Sequence, residues 1–154
     1  MSKIENRLAE LGLTLPPLLP PMGTYVPYTI SGNLLFLSGQ GPKEPDGDWL
    51  RGQVGTDISV EEAYRRARLT GLRLLAITQS ALGSLDRVQR VLKLLGFVNA
   101  PPGFKQHPAV INGCSDLFVE VFGEAGRHAR SAVGMGSLPN GITVEIEVVM
   151  RILP

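Results

Sequence analysis

Two residues near the C-terminus carry the chemistry this chain suggests on first reading. Arg130 opens the run Arg-Ser-Ala-Val-Gly-Met at 130–135, and Glu145 lies within Ile142–Ile152, where alternate residues are apolar. A guanidinium offers a planar fork of donors that matches a carboxylate bidentately, and a nearby glutamate can accept a proton from water. Side by side, the two make either a plain salt bridge or an anion clamp next to a proton acceptor. Between them, Leu138-Pro139-Asn140-Gly141 is a turn signal, so the pattern predicts a hairpin of two antiparallel strands. In simple register, that hairpin sets Arg130 near the level of Glu145.

The second run shows how those side chains must be held. Ile142, Val144, Ile146, Val148, Met150 and Ile152 share one face by the two-residue period of a strand, which reads as core. Thr143, Glu145, Glu147, Val149 and Arg151 share the other face, suited to water or to a partly polar contact with another subunit. Upstream, Tyr25–Ile30 and Leu34–Ser38 read as strands joined at Ser31-Gly32-Asn33, and a short third strand is expected near Trp49–Gln53. Trp49 either packs under the Gly39–Asp48 loop or sits on a pocket rim, and packing is the favoured reading.

Ser59 and Glu62 form a capping box that opens the longest helix, to about Leu82. Its inward stripe is Ala63, Ala67, Thr70, Leu74, Ile77 and Ala81, and Arg65, Arg66, Arg68 and Arg73 read as a solvated face. Leu85–Asn99 is a further strand, and a second helix runs from about Pro108 to Phe122. Its inward row is either Ile111, Ser115, Phe118 and Phe122 or Val110, Cys114, Leu117 and Val121. The order implies an α+β sandwich, with two helices on one face of a mostly antiparallel sheet.

Residues 1–21 read as a helix, Ser2–Leu11, followed by a proline-rich arm, and residues 22–154 as a single domain. Fifteen basic and fourteen acidic residues leave a net charge of +1 with no basic stripe, so charge argues against nucleic acid as a partner. No run approaches the roughly 20 apolar residues of a membrane span. A single cysteine, Cys114, excludes an internal disulfide and suits a reducing, cytoplasmic setting; it reads as a small buried side chain. His107 and His128 read most simply as surface or loop histidines, with His128 the better pocket candidate because it adjoins Arg130.

Three blocks together resemble one family. Arg130-Ser131, Leu138-Pro139 and Val144-Glu145-Ile146-Glu147 match the hairpin of the YjgF family, also called RidA, the reactive-intermediate deaminases once described as "endoribonuclease L-PSP". Gly23-Thr24-Tyr25-Val26, with Leu35–Pro42, resembles its Gly-Pro-Tyr stretch and Ser-Gly-Gln-x-Pro turn, and Val110–Gly113 resembles its asparagine-bearing helix. The blocks follow family order from about Met22 to Ile152. The resemblance implies a chorismate-mutase-like domain assembled as a homotrimer, with sites in the clefts between subunits.

It also implies hydrolysis of 2-aminoacrylate and 2-imino acids to 2-oxo acids and ammonia, with no metal or organic cofactor. Arg130 takes the place of the carboxylate-binding arginine, and Glu145 that of the residue holding the hydrolytic water. Tyr25 matches the tyrosine lining the pocket and Asn112 the asparagine at its edge, while Ser38 and Gly39 fall in the turn that closes it. Glu147 reads as structural. His128 for proline, Ala132 for cysteine, Thr24 for proline and Gly41 for an aliphatic residue depart from the pattern and indicate a divergent branch.

Overall fold

A computed structural model describes all 154 residues. Helix α1 (Lys3–Glu10) starts at a capping box between Ser2 and Glu5 and buries Ile4 and Leu8. The Asp86 carboxylate accepts from the backbone N–H groups of Lys3 and Ile4 at 3.0 and 2.8 Å, placing an anion at the positive end of that helix. From Leu11 the chain crosses the proline-rich stretch to strands β1 (Tyr28–Ser31) and β2 (Leu34–Gln40). Helix α2 (Val60–Leu82) follows, capped by Ser59 and ended by Gly83, whose φ of 80° suits the left-handed stop. Strand β3 (Val88–Asn99), helix α3 (His107–Phe122), strand β4 (Ala129–Met135) and strand β5 (Val144–Ile152) complete the chain.

The five strands lie in the order β1-β2-β5-β3-β4, antiparallel throughout except that β4 runs parallel to β3. This overturns the expected hairpin. β5 inserts between β2 and β3, and β4 pairs on the far side of β3, so the turn at 138–141 carries the chain across the end of β3. Asn140 and Gly141 hold it with φ of 57° and 69°. The expected third strand shrinks to isolated bridges, Lys43 to Trp49 and Arg51 to Ile142, because residues 49–52 divide their backbone bonds between Pro42–Lys43 and the segment leading into β5.

Register decides which side each residue faces. Leu94 of β3 lies opposite Arg130 on one side and Val148 on the other; Phe97 lies opposite Val133 and Glu145. Leu94 and Val148 are buried beneath the helices. Arg130 therefore projects on the helix side, and Glu145 on the uncovered side with Leu95, Phe97 and Val149. Phe36 and Val133 on that uncovered side are each 40% exposed.

In α3 the row Val110, Cys114, Leu117 and Val121 is buried, as are Ile111 and Phe118 of the alternative row, while Ser115 is left to face β4. The α2 stripe is buried from Ala63 to Ile77, but Arg73 is buried with it, contrary to the solvated face expected. It shares a row with Thr70 and Ile77, both members of the inward stripe. Arg66 is also largely covered, donating to the Arg51 carbonyl and the Thr143 hydroxyl, and glutamates hold it and the other two: Arg65 and Arg66 by Glu62, and Arg68 by Glu120.

α2 and α3 are in close contact at Gly113, where a β-carbon would fall 2.0 Å from the Tyr64 carbonyl oxygen. That approach fixes α3 and, with it, Asn112 and Ser115. Alanine favours an exposed helix over glycine by about 1 kcal/mol. Here the backbone of α2 cannot yield, so Gly113→Ala is expected to destabilise by about 1–3 kcal/mol in urea unfolding. A gain in stability would show that the two helices are not held at this distance.

Candidate functional site

The expected site residues fall into two groups on opposite sides of the sheet. The first lies between β4 and α3. Arg130 donates through Nη1 to Asn112 Oδ1 at 2.7 Å and to Ser115 Oγ at 3.1 Å. Ser115 Oγ lies 2.9 Å from His128 Nε2, and His128 Nδ1 lies 2.7 Å from the Gly126 carbonyl. A carbonyl only accepts, so Nδ1 carries the ring proton and Nε2 accepts from the serine hydroxyl. The chain His128, Ser115, Arg130, Asn112 thus holds one nitrogen of the guanidinium in place with neutral partners. Its other donors and its full charge remain uncommitted.

The second group surrounds a cleft of about 960 Å³. Tyr25, Ser38, Gly39 and Glu145 line it, and the arm from Pro17 to Met22 forms one wall. The Ser38 hydroxyl donates to the Val26 carbonyl at 2.6 Å, and its backbone N–H to that of Pro27 at 2.9 Å, which ties the Tyr25 segment to the end of β2. A bulge between Leu37 and Gln40 turns Gly39 onto Glu145. A β-carbon on Gly39 would sit 2.9 Å from Glu145 Oε2, so glycine is what leaves the carboxylate room. Glu147 also reaches the cleft, which widens the role expected for it.

Arg73 is a site residue that the sequence reading missed. It is 7% exposed, lines the same cleft, donates to Gln40 Oε1 at 3.0 Å and stacks over Trp49 with its guanidinium carbon 5.0 Å from the ring centre. Its Nε is buried without an acceptor. Its place on a row with Thr70 and Ile77 of the inward α2 stripe was the signal available. Trp49 accordingly sits at the cleft rather than simply under the loop.

Comparison with known proteins identifies this architecture. Residues 5–144 match the model of the family described as "YjgF/chorismate_mutase-like, putative endoribonuclease". The chain belongs to that family. It is similar to protein TCP17 of Trypanosoma cruzi, with 44% identity over 97% of this chain and 94% of the relative. A crystal structure of an Agrobacterium tumefaciens protein of unknown function shares 49% identity and a TM-score of 0.89, covering 97% of this chain and 94% of that one. A structure from Shewanella oneidensis, described as a "putative endoribonuclease", shares 34% identity and a TM-score of 0.93 over 98% of this chain and all of that one.

Electrostatics separates the two groups in this YjgF-family chain. Burial pushes the Glu145 carboxyl above its ordinary value, and the neighbouring Glu147 charge raises it further. Burial likewise lowers the His128 pKa; the Gly126 hydrogen bond opposes this and the Arg130 charge adds to it. His128 is therefore a neutral link in the chain that positions Arg130, and it supplies Ser115 with an acceptor.

A histidine whose pKa is lower folded than unfolded contributes stability that is present above its ordinary pKa of 6.5 and is lost as pH falls through it, because the unfolded chain takes the proton first. Stability is thus expected to decline from about pH 7.5 to about pH 5.5, with a shallower decline in His128→Gln. Denaturant midpoints across that range test this; parallel curves would contradict a part-buried neutral His128.

Proposed function

We propose that this protein is a deaminase that hydrolyses reactive enamines and imines, 2-aminoacrylate and 2-imino acids, to 2-oxo acids and ammonia. The observation that carries the reading is Glu145: a half-buried carboxylate at a cleft, whose pKa is raised by burial and by the neighbouring Glu147. Such a group is suited to take a proton from water and return it. Arg130, held by Asn112 and Ser115 through one nitrogen, retains donors for a substrate carboxylate.

The two groups lie on opposite sides of one sheet, so the reading requires a second copy. We place Arg130 and Asn112 of one subunit at the mouth of the next subunit's cleft, in a homotrimer with three equivalent sites. Closed rings are the ordinary result of head-to-tail contacts between identical chains. The uncovered face favours this, since Phe36, Val133, Leu95 and Phe97 make it apolar beside its carboxylates.

In the reaction, Arg130 holds the acid group of the iminium and fixes the adjacent carbon before a water on Glu145. The water oxygen bonds to that carbon as Glu145 accepts its proton, and the C=N electron pair moves onto nitrogen. Glu145 passes the proton to the nitrogen, the C–N bond breaks with release of ammonia, and Glu145 takes the hydroxyl proton as the C=O bond forms, passing it to the departing ammonia. Tyr25, Ser38 and Gly39 shape the wall against which the substrate rests. An enamine enters the same path after protonation at its terminal carbon. The lone buried Cys114 accords with a cytoplasmic setting. No helix is long and apolar enough to cross a membrane.

The test generates 2-imino acids in situ with an amino-acid oxidase and follows 2-oxo acid release. Arg130→Ala is expected to lose about 10- to 100-fold in kcat/KM, the equivalent of a charge-assisted hydrogen bond. Glu145→Gln should lose about 10²- to 10⁴-fold in kcat and also lose the acid limb of the pH profile. Equal rates for the wild type and both variants would remove the enzyme reading and leave a carboxylate-binding module. Nuclease activity surviving in Glu145→Gln and through repurification would favour the ribonuclease description instead.

A further inference from the structure

We infer that the cleft selects substrates with a second acid group, which Arg73 holds at the end of the side chain. Three other arginines of α2, Arg65, Arg66 and Arg68, each have a glutamate oxygen within 3.3 Å. Arg73 has only the neutral Gln40 oxygen and the face of Trp49, although it is 93% buried by its 7% exposure. A guanidinium removed from water without an anion is costly, and Nε has no acceptor at all. An anion entering the cleft supplies what this side chain lacks.

The location fits an acid that also reaches Glu145. Gly39 lies against the Glu145 carboxylate, and Gln40, the next residue, accepts from Arg73. Arg73 and Glu145 line the same cleft, so one small molecule can meet both. β1 pairs with β2 only as far as Tyr28 opposite Leu37, so the edge beyond Ser38 lacks a strand partner and the cleft wraps round it. Leu18 and Leu19 of the arm give methylenes an apolar wall, and Lys43 adds positive charge at the Arg73 end. A small diacid, with an imine beside one acid group, matches this polarity.

The substrate class rests on the deaminase reading, in which Arg130 holds the first acid group; anion binding at Arg73 does not. Trp49 is the only tryptophan, and it lies against the Arg73 guanidinium, so its emission reports occupancy directly. Glutarate and 2-oxoglutarate are expected to saturate that signal at least tenfold more tightly than butyrate and 2-oxobutyrate. The preference should vanish in Arg73→Gln and Arg73→Met and partly survive in Arg73→Lys. Arg73→Met should melt no lower than the wild type, since it removes an unpaired buried charge. Equal binding of diacids and monoacids by the wild type, preference retained in Arg73→Met, or no saturation by either diacid would overturn the inference.

A kinetic arm separates this inference from the reading beneath it. The imine of glutamate should be hydrolysed with at least tenfold higher kcat/KM than that of norvaline, and Arg73→Gln should erase the difference. Turnover of both imines without preference sinks the diacid inference and leaves the deaminase. Diacid binding without any turnover supports the Arg73 site and sinks the deaminase.

Discussion

The placement of β3 between β4 and β5 is the constraint on which the rest depends. Because β4 and β5 both pair with β3, Arg130 and Glu145 are fixed by register to opposite faces, the first beside Leu94 and the second beside Phe97. A side chain cannot be moved through a hydrogen-bonded sheet, and a one-residue slip would turn the buried face of β5 outward. Within one chain the guanidinium and the carboxylate are therefore not a salt bridge. Each remains available to another molecule.

The two faces also differ in how they prepare their groups. On the helix side, the close approach of α2 and α3 at Gly113 sets Asn112 and Ser115, and these with neutral His128 orient Arg130 through hydrogen bonds that leave its charge intact. On the uncovered side, the β2 bulge and Gly39 leave Glu145 half-buried and raise its pKa. Positioned charge without local neutralisation is the common feature. It is a costly arrangement for folding, and on the proposed reading it is offset when substrate and a neighbouring copy meet there.

Much of this was legible in the sequence, and the exceptions have physical causes. The α2 stripe, its Ser59 cap and the alternation of β5 appeared because burial imposes a period that residue types reveal locally. Strand order depends on contacts between distant segments, and a Pro-Asn-Gly turn reads alike in a tight hairpin and in a crossing over β3. Arg73 escaped because an arginine beside an apolar stripe usually extends its stem and keeps its head in water. Only the tertiary position of Gln40 and Trp49 shows that this head is enclosed. The linkage of His128 to Arg130 likewise required Ser115, which came from the edge of an α3 row whose inward face the sequence left open.

The most direct test of the account is complementation between chains. Arg130→Ala and Glu145→Gln, each impaired alone, are to be unfolded together and refolded as a mixture, with co-assembly verified by native mass spectrometry. Random mixing in a cyclic assembly pairs an intact arginine from one chain with an intact glutamate from the other at about a quarter of the sites. Recovery of about that fraction of wild-type deaminase activity is expected. Mixed assemblies that form and remain inactive, or wild-type chains fully active as monomers, would contradict it.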